Sequence, residues 1–198
     1  MAEIKSTMEM VLARAAKMAA EAAPVVENED LIRTGMRLAA GFLNDTTTDL
    51  AGTLSEQPGP DQMEIRMGMA QTLLRNIVLP RDEQLQESGK KALQGILALG
   101  GNGGDIKSIC QELVQILEQY GQHKEQTTQQ LEDAIRAQME QQQQMAGNPD
   151  VQGGTNPQMH PQYQEELSKM LTSLNNQYND AMNQRKEMIL QRFTPTAG

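Results

Sequence analysis

From Ile106 to Met145 the chain holds no proline and a single glycine, Gly121. No other feature constrains the fold as strongly. A helix of that length spans ~60 Å at 1.5 Å per residue, too long to bury every face in a small core. Its apolar seam runs Ile109, Leu113, Ile116 and Tyr120, then thins to Thr127, Leu131, Ile135 and Met139. The first half can therefore pack on a core, and the second can only pair thinly. After a Pro- and Gly-containing loop (146–161), residues 162–193 return to helical spacing with Tyr163, Leu167, Met170, Leu174, Tyr178, Ala181, Met188 and Ile189. Two apolar stripes of period near 3.5 on either side of a loop predict an antiparallel coiled-coil hairpin over 105–193, with a flexible tail at 194–198.

The stretch before it, residues 2–100, reads as a small helical bundle, which makes the whole chain all-α. Glu3 to Ala22 carries Ile4, Met8, Val11, Leu12, Ala15, Met18 and Ala19 at one-face spacing and stops before Pro24. Asn28 caps a second helix, with Leu31, Gly35 or Met36, Leu38, Phe42, Leu50 and Leu54 as its stripe. The run Asn44–Asp49, with three successive threonines, is poor helix material and is expected to kink or split it. Pro58-Gly59-Pro60 is a firm break. Asp61 and Glu64 then form a capping-box pattern ahead of a helix that ends before Pro80. A further helix from Asp82 closes at Gly100-Gly101, and Asp105 is placed to cap the long helix.

Only 38% of residues are hydrophobic and 3% aromatic, with no tryptophan, so the core must be modest and aliphatic. The net charge is −9, and both halves carry more Asp and Glu than Lys and Arg. With no basic lobe to follow a phosphate backbone, nucleic-acid binding is disfavoured. No apolar run approaches a membrane span. Charges at Glu3, Lys5, Glu9, Arg14 and Lys17 argue against a signal peptide, and the acidic face of the first helix argues against lying on a membrane. Cys110 is the sole cysteine, which excludes an intrachain disulfide and suits a reducing, cytoplasmic setting.

The candidates for chemistry fall away one by one. Gly100-Gly101-Asn102-Gly103-Gly104 precedes a helix, but Asp105 stands where a phosphate would sit, Lys107-Ser108 come late and no strand leads in. His123 and His160 are the only histidines, and neither belongs to a Glu-x-x-His or His-Glu-x-x-His motif. Cys110 reads as buried and inert, and Glu165-Glu166 as partners of a helix dipole. Fourteen methionines fill a core or furnish an adaptable binding surface, with core filling the heavier reading. No catalytic residue, cofactor or metal is expected.

The opening Met1-Ala2-Glu3-Ile4-Lys5-Ser6-Thr7 leads into a helix. A long helix, a loop with Asn148-Pro149 and Asn156-Pro157, and a final charged helix follow. In this the chain resembles an uncharacterised family of small helical bacterial proteins, a domain of unknown function. The resemblance implies a bacterial, cytoplasmic, all-α protein and assigns no activity.

The function expected from these features is a non-enzymatic interaction protein: an adaptor, scaffold or regulatory subunit acting on a protein partner or on its own copy. Its candidate surface is Tyr120, Leu131, Ile135, Met139, Leu167, Met170, Leu174 and Tyr178, the thin seam that would gain from another helix. The alternatives are a holdase-like chaperone using Met-rich helices and a small helical metal- or ligand-binding protein.

Overall fold

The computed structural model describes residues 28–101, 103–145 and 156–194. The expected helix Glu3–Ala22 and most of the 146–161 loop lie outside them. The described residues form α1 (28–43), α2 (Leu50–Ser55), α3 (Gln62–Asn76), α4 (Glu83–Gly100), α5 (Gly104–Met145) and α6 (Pro161–Phe193). Single 3-10 turns, Gly59–Asp61 and Pro157–Met159, lead into α3 and α6. No strand occurs among the described residues. The chain is all-α: short packed helices, then a long antiparallel helical pair.

The threonine-rich run splits the second predicted helix in two. After α1, Asp45 adopts the left-handed region (φ 61°), and the Asp45 and Thr46 amides donate back to the Phe42 and Gly41 carbonyls. This paired closure satisfies end carbonyls that no helical amide reaches. Asp49 then caps α2, its carboxylate accepting the Gly52 amide at 2.9 Å. The Asp61–Glu64 capping box does not form. Asp61 is already helical and makes no side-chain cap, because the Gly59–Asp61 turn carries the chain into α3 and Gln62 is tied back to the Gln57 carbonyl at 2.8 Å. Asp82 does cap α4, accepting the Leu85 amide at 2.8 Å, and Gly101 follows the helix at φ 57°.

Contacts divide the chain into two compact units. The first combines the residues up to Ile77 with Lys90–Gly103 and the chain from Leu190 onward. The second combines Val78–Gly89 with Gly104–Ile189. The sequence suggested a single boundary near residue 100, but the first two turns of α4 go with the long hairpin and the last turn of α6 does not. Thr194, placed in the tail by sequence, continues α6 by donating to the Leu190 carbonyl at 3.0 Å.

The core of the first unit includes Ala39, Leu50, Leu54, Ile65, Met69, Leu73, Ile77, Ala92 and Ile96. Within it α1 and α3 meet through glycines. A Cβ on Gly35 would fall 2.0 Å from the Ile65 carbonyl oxygen, and one on Gly68 would fall 2.1 Å from that of Ile32. The ambiguity at Gly35 or Met36 resolves accordingly: Gly35 is buried, and Met36 is only half so. Lys91 lies 5.7 Å over the Phe42 ring, donates to the Leu43 carbonyl at 3.0 Å and pairs with Asp45, so one side chain seals the end of α1.

Candidate functional site

In the second unit the partners of α5 and α6 run in opposite directions. Glu112 meets Arg185, Tyr120 meets Asn175, Glu132 meets Tyr163 and Gln138 meets Gln162. The pair is antiparallel, and the seam residues proposed from sequence as an interaction surface lie along it. Tyr120, Leu131 and Ile135 are buried, and Met139, Leu167, Met170, Leu174 and Tyr178 are half-buried. Within this chain the stripe is thus occupied by the hairpin's own second helix.

The seam has three zones. The proximal zone buries Ile106, Ile109, Cys110 and Leu113 of α5 and Met182 and Ile189 of α6. The Arg185 guanidinium adds a 2.9 Å bond to Glu112; both side chains are partly exposed, so the pair contributes little beyond fixing register. Burial pushes the Cys110 thiol up to about 11, so it stays protonated at neutral pH. Lys186, half-buried here, has its pKa lowered because burial penalises the ammonium.

The middle zone is polar and aromatic. The Tyr120 hydroxyl donates to Asn175 Oδ1 at 2.9 Å, and its ring meets that of Tyr178 edge-on at 5.5 Å. His123 Nδ1 lies 3.0 Å from the Tyr178 hydroxyl. Desolvation raises the Tyr120 pKa, and the nearby positive charge of Arg81 partly offsets this. The sequence placed His123 on a polar face without a partner. Its bond to Tyr178 was visible only once the antiparallel register was known.

The distal zone is a separate small cluster of Leu131, Ile135 and Tyr163, with Met139, Leu167 and Met170 packed against it. Glu132 accepts from Tyr163 at 3.2 Å and from Gln158 at 2.8 Å, clasping the turn before α6 onto α5. Burial, the bond to Glu132 and its negative charge all raise the Tyr163 pKa. By sequence His160 falls within the 146–161 loop, where an exposed side chain is expected. It is half-buried instead, and its Nδ1 accepts the Gln162 amide at 3.3 Å at the start of α6. Glu165 and Glu166 lie beyond the first turn of α6 and both pair with Lys169, at 2.7 and 3.2 Å; that pairing lowers the Glu165 pKa.

Open hollows also occur among the described residues. One, of about 410 Å³, lies in the second unit among Arg81, Asp82, Gln86, Tyr120, Gly121 and Lys124. Another, of about 390 Å³, lies in the first unit among Gly59, Gln62, Met63, Arg66, Arg192 and Phe193. Each is a shallow, open surface that mixes charged and apolar groups. Among the described residues no group of three His, Cys, Asp or Glu could hold a metal ion, and no helix is long and apolar enough to cross a membrane.

The methionines divide unevenly. Met69 and Met182 are core residues, while Met63, Met145, Met159 and Met188 are exposed, Met145 at 80% and Met159 at 82%. Core filling therefore accounts for only part of the methionine content.

A family model described as a family of unknown function, DUF6657, matches residues 51–191. The chain belongs to this family. The match takes in α2 from residue 51, α3, α4, α5 and α6 up to residue 191. It leaves out the Met1–Thr7 motif that carried part of the resemblance. Neither the curated proteins nor the solved structures contain a match to the chain. In this chain the match to DUF6657 thus rests on α2 to α6 rather than on the N-terminal segment.

Proposed function

We propose that this DUF6657 protein is a non-enzymatic interaction protein, an adaptor or scaffold whose α5–α6 hairpin acts as an arm that engages another protein. The observation that carries this reading is the exposure of Met145, the last residue of the 42-residue α5, and of Met159 in the turn that leads into α6. Large flexible thioethers left in water on an otherwise polar arm lower the cost of docking onto varied apolar surfaces. The polar groups of the hairpin middle, by contrast, bond to one another, which supports a structural rather than a chemical role for them.

The test places a photo-crosslinking amino acid at 145 or 159, with position 129 as an exposed control, in the cells that make the protein. A discrete adduct from 145 and 159 but not from 129 supports the arm. Equal or absent adducts at all three positions, with a strict monomer by light scattering at several concentrations, would overturn it.

A holdase-like role is the second reading, favoured by the additional exposure of Met63 and Met188. Suppression of aggregation of a model client at severalfold excess supports it, and no suppression removes it.

A further inference from the structure

We propose that the distal part of the hairpin, α5 beyond Gly121 and α6 before Leu174, opens and closes as a unit while the proximal part stays packed. The reason is a waist in the seam. From Gly121 to Gln130, α5 offers no aliphatic side chain and no buried residue; toward α6 it presents the half-buried Thr127 and Thr128, the stem of Lys124 and the exposed His123 ring that meets Tyr178. Opposite them, Leu171 and Leu174 stay half-buried. No residue of α6 between Tyr163 and Met182 is fully buried.

On either side of the waist the two zones are unequal. The proximal zone is held by six buried apolar residues and the Glu112–Arg185 pair, and the adjoining Tyr120–Asn175 bond of the middle zone extends it up to the waist. The distal zone rests on Leu131, Ile135 and Tyr163, the bonds to Glu132 and a long Gln138–Gln162 contact at 3.5 Å. Cooperativity travels through continuous packing, so a break in the seam lets the weaker end release on its own. Gly121 stands at the border, on a helix face where nothing lies within 4 Å of its missing Cβ, and it supplies the soft backbone point.

Opening would free the stripe Leu131, Ile135 and Met139 for an incoming helix in the place α6 now holds. That use of the motion rests on the interaction reading above; the motion itself does not.

The test is amide hydrogen exchange of the full-length protein, resolved by mass spectrometry across a urea series below the unfolding transition. Amides of 128–139 and 163–174 should exchange on the order of a hundredfold faster than those of 106–117 and 182–189, with a shallower urea dependence. Leu131→Ala should speed the distal set and leave the proximal set unchanged. Thr127→Leu, which fills the waist, should slow the distal set roughly tenfold. Equal rates and equal urea slopes in both zones would overturn the proposal, as would Leu131→Ala accelerating both zones alike. If the crosslinking arms fail while the exchange pattern holds, the interaction reading falls and the opening stands; the reverse result keeps the partner and removes the hinge.

Discussion

Gly35 and Gly68 sit on opposite sides of one helix crossing, each occupying the space where the other helix presents bare backbone. A Cβ at either position would land about 2 Å from a carbonyl oxygen, that of Ile65 or of Ile32. A backbone oxygen in a helix cannot rotate away as a side chain can, so α1 and α3 would have to separate. Gly35→Ala and Gly68→Ala should each destabilise the protein by about 3 kcal/mol, while Gly104→Ala, with nothing near its missing Cβ, should not. Urea unfolding followed by far-ultraviolet circular dichroism checks the contrast.

Lys91 ties down the end of α1 through three contacts: the Leu43 carbonyl, the Asp45 carboxylate and the Phe42 ring. Asp45 is itself strained by its positive φ, and its carboxylate is largely exposed, so the ion pair is screened while the strain is not. Asp45→Gly should therefore be close to neutral, and Asp45→Ala should cost about 1 kcal/mol. Lys91→Met keeps the aliphatic stem but abandons the carbonyl, with an expected loss of about 1 kcal/mol. Thermal melts of the three variants separate backbone strain from charge.

Local rules explain why so much of the architecture was legible. Prolines, glycines and cap residues act within a few positions, so the break at Pro58-Gly59-Pro60, the Asp82 cap and the stop at Gly101 follow from the sequence itself. The long α5 follows from the lack of any breaker after Gly104. What was hidden depends on register between distant segments. Gly35 looks like a gap in an apolar stripe until α3 is seen to bring Gly68 against it. The allegiance of Val78–Gly89 to the hairpin unit has no sequence signal at all, since periodicity states which face is buried and not against what. The proposed interaction surface illustrates the same limit: the apolar seams on α5 and α6 and their antiparallel pairing are legible, yet the register that sets Tyr120 on Asn175 and Glu132 on Tyr163 is not.

Tyr120 and Tyr178 face the same seam with unequal stakes. The Tyr120 hydroxyl is buried and serves Asn175; that of Tyr178 meets the exposed His123 ring. Tyr120→Phe leaves the half-buried Asn175 amide without its donor and should cost about 1 kcal/mol, whereas Tyr178→Phe should cost less than about 0.5 kcal/mol because water replaces the lost partner. Adding Asn175→Leu to Tyr120→Phe should recover part of the loss, since replacing both partners removes the unmet acceptor. A double-mutant cycle on denaturant midpoints measures this coupling.

Gly121 is the only glycine within the long Ile106–Met145 stretch, exposed and with open space where a side chain would be. Nothing in the packing calls for it, so Gly121→Ala should stabilise the fold by up to about 1 kcal/mol through helix propensity. A loss of stability would mean that the backbone there departs from a form alanine can adopt.

Cys110 gives the fold a pH dependence of known sign. Its thiol, 2% exposed, is raised from an ordinary 9.0 to about 11 by burial. Below pH 9 both folded and unfolded chains hold the proton, and the neutral thiol's full contribution to stability is present. Between 9 and 11 the unfolded chain releases the proton first, so stability falls as pH rises, by at most about 1.4 kcal/mol per pH unit from this group. The raised phenols of Tyr120 and Tyr163 act in the same direction at higher pH. Cys110→Ala should flatten the 9-to-11 portion of the curve while the tyrosine contribution persists, and the native thiol should resist disulfide reagents at pH 8 until urea unfolds the chain. Rapid modification of the folded protein at pH 8 would show instead that the proximal seam opens readily, and would place the weak end of the hairpin at Cys110 rather than beyond Gly121.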